Sequence, residues 1–255
     1  MSRGYQSQNP VLNNRFMANF VVSERMTYSG TMRKIGGLLG LTTLTALAAM
    51  AVCWTAPNEL SMTYASLFSL AGFGLGFVLA MVIGFVRPQN PAALMGLYAV
   101  LEGVALGGAS YMFEAYYEGI VFQALFGTVG ITATMYVLYS SRLLRPTPTF
   151  NKIVFGLMSS IVLLYLVSFV MSIGFGVSVP FLHTAGPVGI AVTVFILVVA
   201  SLTLISNFGF IESGVQHGAP KQMEWYAAFG ILISLIWIYL ETLRLLSKIQ
   251  TFLRD

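Results

Sequence analysis

The chain has 255 residues, 57% of them hydrophobic and only 9% charged, and its mean hydropathy is +0.81. Soluble globular chains carry about 25% charged residues, so a soluble enzyme or binding domain is excluded and an all-α polytopic membrane protein is expected. The formal net charge of +4 comes from basic residues scattered singly, which is not the basic stripe that a nucleic-acid partner requires.

Residues 1–34 hold Arg3, Arg15, Arg25, Arg33 and Lys34 against the single acid Glu24, with no apolar run long enough to span. This reads as a cytoplasmic N-terminal tail and not as a cleaved signal peptide. Residues 35–255 read as one transmembrane domain, because a hydrocarbon core of roughly 30 Å takes about 20 apolar residues per helix. The first span is expected at 35–54, ending on Trp54 at interface depth. Cys53 lies inside it as a small packing residue, and as the sole cysteine it excludes an intrachain disulfide.

The second span, 62–86, carries Gly72, Gly76 and Gly84, as the first carries Gly36 and Gly40. Glycines four apart share a helix face and let a second backbone come close, so tight helix packing is expected there. Pro91 opens the third span, 92–113, with Glu102 near its centre, roughly 16 Å along the helix and close to the bilayer midplane. Glu114 and Glu118 flank the aromatic turn that follows and are expected to be solvated. The fourth span is 120–139, followed by a basic loop with Arg142, Arg145 and Lys152. The fifth is 153–173. A Gly/Pro-rich connection carrying His183 leads to the sixth, 188–208, which is apolar until Asn207, and the seventh runs over 225–246.

The basic residues of alternate loops place the N-terminus inside, with Arg87, Arg142, Arg145, Lys152 and Lys221 on the same side. Seven spans then put the C-terminus outside, where Arg244, Lys248 and Arg254 conflict with that bias. Residues 212–224 read as an inner loop, in which Glu212, with Glu224 farther on, reads either as an entry site or as an ordinary solvated face, and His217 and Glu212 are too isolated to mark a metalloprotease site.

An ionised side chain at membrane depth is costly and normally faces the bundle interior or a water-filled path. Glu102 and Glu241 both fall under that rule. Glu241 reads either as an intrahelical partner of Arg244, three residues on and so on the same helix face, or as an ion or proton site. For Glu102 the alternatives are a helix–helix hydrogen bond and a conduction role. Clusters of carboxylate and amide oxygens suit hard cations such as calcium, for which Glu241 and Asn207 are the candidate ligands. No nucleophile–base pair or zinc motif suggests an enzyme.

Asn90-Pro91 through Leu101-Glu102-Gly103, Tyr117-Glu118-Gly119 with Gln123-Ala124 and Thr128, and Trp237-Ile238-Tyr239-Leu240-Glu241-Thr242-Leu243 together resemble the transmembrane Bax inhibitor motif, or Bax inhibitor-1, family. Phe210-Ile211-Glu212-Ser213-Gly214-Val215 and Gly218-Ala219-Pro220-Lys221-Gln222-Met223-Glu224-Trp225-Tyr226 are similar to a bacterial branch. The resemblance implies six helices around a central seventh and a calcium leak that responds to pH through two acids, one in the sixth helix and one in the seventh. The seventh-helix acid corresponds to Glu241. The sixth-helix acid corresponds to Asn207, an amide that cannot ionise. The expected function is therefore a calcium-favouring cation leak channel or exchanger in the bacterial cytoplasmic membrane. Glu241, Asn207 and Glu102 line its ion pathway, Arg244 and Glu212 support it, and calcium is cargo with no resident cofactor. The alternative is a non-conducting membrane regulator that binds a membrane protease or stress-response proteins.

Overall fold

A computed structural model describes residues 24–88, 90–176 and 184–254. His183 and residues 1–23 of the expected tail lie outside them. The described residues form seven helices: α1 Tyr28–Thr55, α2 Asn58–Val86, α3 Ala92–Tyr116, α4 Ile120–Ser140, α5 Pro148–Phe175, α6 Pro187–Gln216 and α7 Met223–Arg254. All seven are long and apolar enough to cross a membrane. The protein is an all-α polytopic membrane protein.

Local chemistry sets the helix ends. Thr27 and Thr147 cap α1 and α5, their hydroxyls accepting from Gly30 N and Phe150 N at 3.0 and 3.1 Å, and Pro148 and Pro187 open α5 and α6 where a missing amide hydrogen costs nothing. The turn between α3 and α4 needs Gly119, whose φ is +77°. Glu114 accepts from Gly119 N at 2.6 Å and Val121 N at 3.1 Å. It is thus an anionic cap on the start of α4 and not the solvated residue expected.

Two boundaries differ from the sequence reading in ways that matter. Helix α1 starts at Tyr28, seven residues ahead of the expected span, because the Thr27 cap and the polar turn through Lys34 are held by contacts described below. Helix α6 continues to Gln216. Ser206 and Asn207 do not end it, because their side chains bond to Asn151 and to α7 and so need no turn. Glu212 therefore lies on a helix, and the connection to α7 shrinks to residues 217–222.

Helix α3 carries small residues on every side. Gly103 and Gly107 bear directly on α1 at Thr42, Thr45 and Ala46, Gly108 bears on Ala65 of α2, and Gly72 of α2 bears on Leu101 and Ala105. The expected close packing holds for Gly72 and Gly76 but not for Gly36, Gly40 or Gly84, which have nothing within 4 Å of where a side chain would start. Helix α7 packs against α1, α3, α4 and α6. Helix α2 is one layer removed, touching α1 and α3 alone, and α5 packs its backbone only along α6.

Candidate functional site

Ser234, Glu241 and Lys248 recur every seven residues along α7, a spacing that keeps them on one helix face. All three are buried. Opposite them runs α6, antiparallel, and polar contacts fix its register at both ends. Asn207 Nδ2 donates to Gly230 O at 3.0 Å and Ser234 Oγ at 2.8 Å, and Thr203 Oγ1 lies 2.8 Å from the same Ser234 Oγ. Two turns beyond Glu241, Lys248 Nζ donates to Gly189 O at 3.0 Å and Thr193 Oγ1 at 2.9 Å.

Glu241 lies between these two anchors. The register places Ile196 and Ala200 of α6 level with it, so the sixth helix offers no polar partner at that height. The partner comes from α5 instead. Tyr165 donates its hydroxyl hydrogen to Glu241 Oε1 at 2.7 Å. Arg244 Nη1 donates to the same oxygen at 2.8 Å and also to the Tyr165 hydroxyl, with its guanidinium 5.0 Å from the Tyr165 ring centroid. Glu241 is only 1% exposed, and its second oxygen, Oε2, is buried with no hydrogen-bond partner among the described residues. Leaving a buried acceptor unsatisfied costs roughly 1–3 kcal/mol, more for a charged group. The Arg244 side chain is 37% exposed, so one end of the pair reaches the edge of the bundle.

The expected site residues therefore do not converge. The α7 partners of Asn207 precede Glu241 by eleven and seven residues, about 16 and 10 Å of helix rise, and no hydrogen bond joins the amide to the carboxylate. Glu102 is buried where α3 meets α2, with its Oε1 2.5 Å from the position a Gly76 Cβ would take and a hydrogen bond from Tyr98 one turn back. Tyr98, on the same helix, meets the Phe229 ring of α7 edge-on at 4.8 Å. Glu212 accepts from the Tyr139 hydroxyl and from Gln216 Nε2 at 3.1 Å and lies 3.6 Å from Arg145. It binds α4 and the following loop to α6 near one end of the bundle.

Three groups escaped the sequence reading. Tyr165 sits in an unbroken apolar run and gives no local sign of its role. Lys248, read as a topology charge, is 5% exposed and hydrogen-bonded within the bundle. Glu224 is 1% exposed and paired with Lys34 of α1. Calcium takes six to eight oxygen ligands, and no group of three or more His, Cys, Asp or Glu side chains placed to hold a metal ion occurs among the described residues. Glu241 and Asn207 contribute to separate neighbourhoods, and two basic side chains follow Glu241 on its own helix.

A family model described as Bax inhibitor 1 like matches residues 9–251, nearly the whole chain. The chain belongs to the Bax inhibitor 1 like family. No curated protein and no solved structure matches it. In this Bax inhibitor 1 like protein the seventh-helix acid implied by the resemblance is present and buried as Glu241. The sixth-helix position is an amide that bonds two turns away from it.

Proposed function

We propose that this Bax inhibitor 1 like protein is a cation leak pathway of the bacterial cytoplasmic membrane, with Glu241 as the acidic group the ion meets. One observation supports the reading: a carboxylate buried on α7 has one oxygen without a hydrogen-bond partner among the described residues, while a cation tethered to the same helix holds the other. If the pair served stability alone, apolar side chains of similar volume would do as well or better. A carboxylate at this depth is retained where it handles charge. Arg244 is then the resident cation that an arriving proton or calcium ion must displace. Calcium is cargo, held only transiently by Glu241, backbone carbonyls and water.

The sidedness follows from the basic residues at the Tyr28 end of the bundle, which the positive-inside rule puts in the cytoplasm. Glu241 then lies thirteen residues from Arg254, about 20 Å of rise from the outer end. Purified protein in liposomes containing a calcium dye, with a parallel set containing a pH dye, is expected to admit one of the two ions. Glu241→Gln is expected to cut that uptake by about tenfold or more, the equivalent of 1.4 kcal/mol. Uptake equal in empty, wild-type and Glu241→Gln vesicles removes the proposal.

A second reading, a regulator that docks on other membrane proteins, is favoured by the open face of α1 at Gly36, Gly37 and Gly40. Small residues on a lipid-facing surface let a partner helix approach closely. It predicts that a Gly36→Leu, Gly40→Leu double variant loses the cellular stress phenotype while Glu241→Gln keeps it. Complementation of a deletion strain separates the two readings, and loss with Glu241→Gln alone rejects the second.

A further inference from the structure

Far from Glu241, at the Tyr28 end of the bundle, the segment ahead of α1 is fastened to the connection between α6 and α7. Met26 N donates to Ala219 O at 2.7 Å and Lys221 N to Glu24 O at 3.0 Å, a short antiparallel ladder centred on Arg25 and Pro220. Lys221 and Glu24 pair across it. The Met26 side chain is 2% exposed, in a cluster with Ile211, Ala219 and Met223. It rests on Gly214, where a Cβ would come within 2.6 Å of its sulfur.

In the first turn of α7 the connection is repeated through charge. Glu224 accepts from Thr27 N at 2.9 Å and Thr27 Oγ1 at 3.0 Å, and it pairs with Lys34, whose ammonium lies 5.3 Å from the Trp225 ring centroid. Gly30 lies directly beneath it, and a Cβ there would push the Glu224 carboxylate aside. Both halves of the arrangement join the same two pieces of chain, the entrance of α1 and the entrance of α7.

We infer that residues 24–34 form a releasable clasp on α7, whose opening lets that helix shift and frees the ion pathway at its other end. This rests on the transport reading given above. Helix α7 is unbroken over 32 residues from Met223 to Arg254, so Glu224 and Glu241 ride on one rod about 26 Å apart along its axis. A shift of α7 must exchange the α6 contacts of Asn207 and Lys248 and the α5 contact of Glu241 with Tyr165, and it cannot begin while Glu224 is fixed to α1. The clasp is built from two ion pairs, two hydrogen bonds from Thr27 and a two-bond ladder, contacts that charge or a competing strand can open, whereas the α1–α3 contact is close-packed backbone.

The test uses the full chain in liposomes. Lys34→Glu and Glu224→Lys are each expected to raise cation uptake on the order of tenfold, about 1.4 kcal/mol in the balance between resting and shifted α7. The Lys34→Glu, Glu224→Lys double swap is expected to return uptake to the wild-type rate. Single variants that fold and conduct like wild type overturn the clasp, as does a swap that restores nothing. Thr27→Val removes one donor without adding charge and is expected to give a smaller rise should the charge variants fail to fold; uptake unchanged in it then counts against the clasp. Amide hydrogen exchange gives a readout that does not depend on transport: Lys34→Met is expected to speed exchange at Met26 and Lys221 and in the first turns of α7. If wild-type vesicles admit no cation, the transport reading falls alone and exchange decides the clasp, unchanged protection rejecting it.

Discussion

Gly103→Val is expected to separate α1 from α3 and cost about 3 kcal/mol or more, the upper end for forcing volume into a packed interior. A Cβ at Gly103 would overlap Thr45 Oγ1 and lie 2.5 Å from Thr42 O. The hydroxyl cannot simply turn away, because Thr45 Oγ1 is bonded to Leu41 O and Thr42 O at 2.9 and 3.1 Å. The carbonyl is part of the α1 backbone and yields only if the whole helix moves. One turn on, Gly107 stands in the same relation to Ala46 O, with the Ala49 methyl 2.7 Å from its absent Cβ. Two consecutive turns of α3 thus set the α1–α3 separation, and in a membrane such close approach is the main source of helix association. Gly96→Ala on the same helix meets nothing within 4 Å and is expected to gain roughly 0.5–1 kcal/mol of helix stability. Thermal unfolding of the two variants in detergent reads both effects. Equal midpoints would mean that the α1–α3 contact does not limit stability.

The seven spans were legible because lipid imposes a length and an apolar composition on every crossing, and each expected run lies inside one observed helix. The errors came at polar residues. Asn207 reads as a helix end when only its own neighbours are considered, yet its amide is a cross-link to Gly230 and Ser234 and α6 passes through it. Glu212 was assigned to a loop for the same reason. The Glu241–Arg244 pair was legible, since residues three apart share a helix face. Tyr165 was not, because nothing in an apolar run specifies which face turns inward or what stands opposite. The pairing of Asn207 with Glu241 failed through register: two helices may each carry a polar group and still place them two turns apart. Lys34 with Glu224, separated by 190 positions, is a contact that only the folded chain reveals. The same holds for the excess of basic residues near the C-terminal end. Arg244, Lys248 and Arg254 conflict with simple charge bias, but each is engaged by protein, the last through the Tyr117 ring at 5.1 Å.

Arg244→Gln is expected to raise cation uptake in the same vesicles in which Glu241→Gln lowers it. The guanidinium supplies the positive charge nearest to Glu241, at 2.8 Å from Oε1. Glutamine keeps a donor on a shorter stem and removes that charge. The carboxylate would then face Tyr165 on one oxygen and no partner among the described residues on the other. A buried anion stripped of its partner is strongly unfavourable, about 3–5 kcal/mol when both partners are fully enclosed. Because Arg244 is 37% exposed, water screens part of the loss and about 1–2 kcal/mol is the appropriate expectation. That free energy favours any external cation or proton able to take the vacated place, so the protein loses stability while the site gains affinity. Arg244→Lys separates charge from geometry. An ammonium retains the charge but cannot stack on the Tyr165 ring and hold both the hydroxyl and Oε1 from one planar group, so its uptake should fall between wild type and Arg244→Gln. The ordering Glu241→Gln, wild type, Arg244→Lys, Arg244→Gln in rising uptake is the signature of a tethered cation competing for one carboxylate. If Arg244→Gln instead lowers uptake together with Glu241→Gln, the pair acts as a structural unit and the arginine is not a competitor.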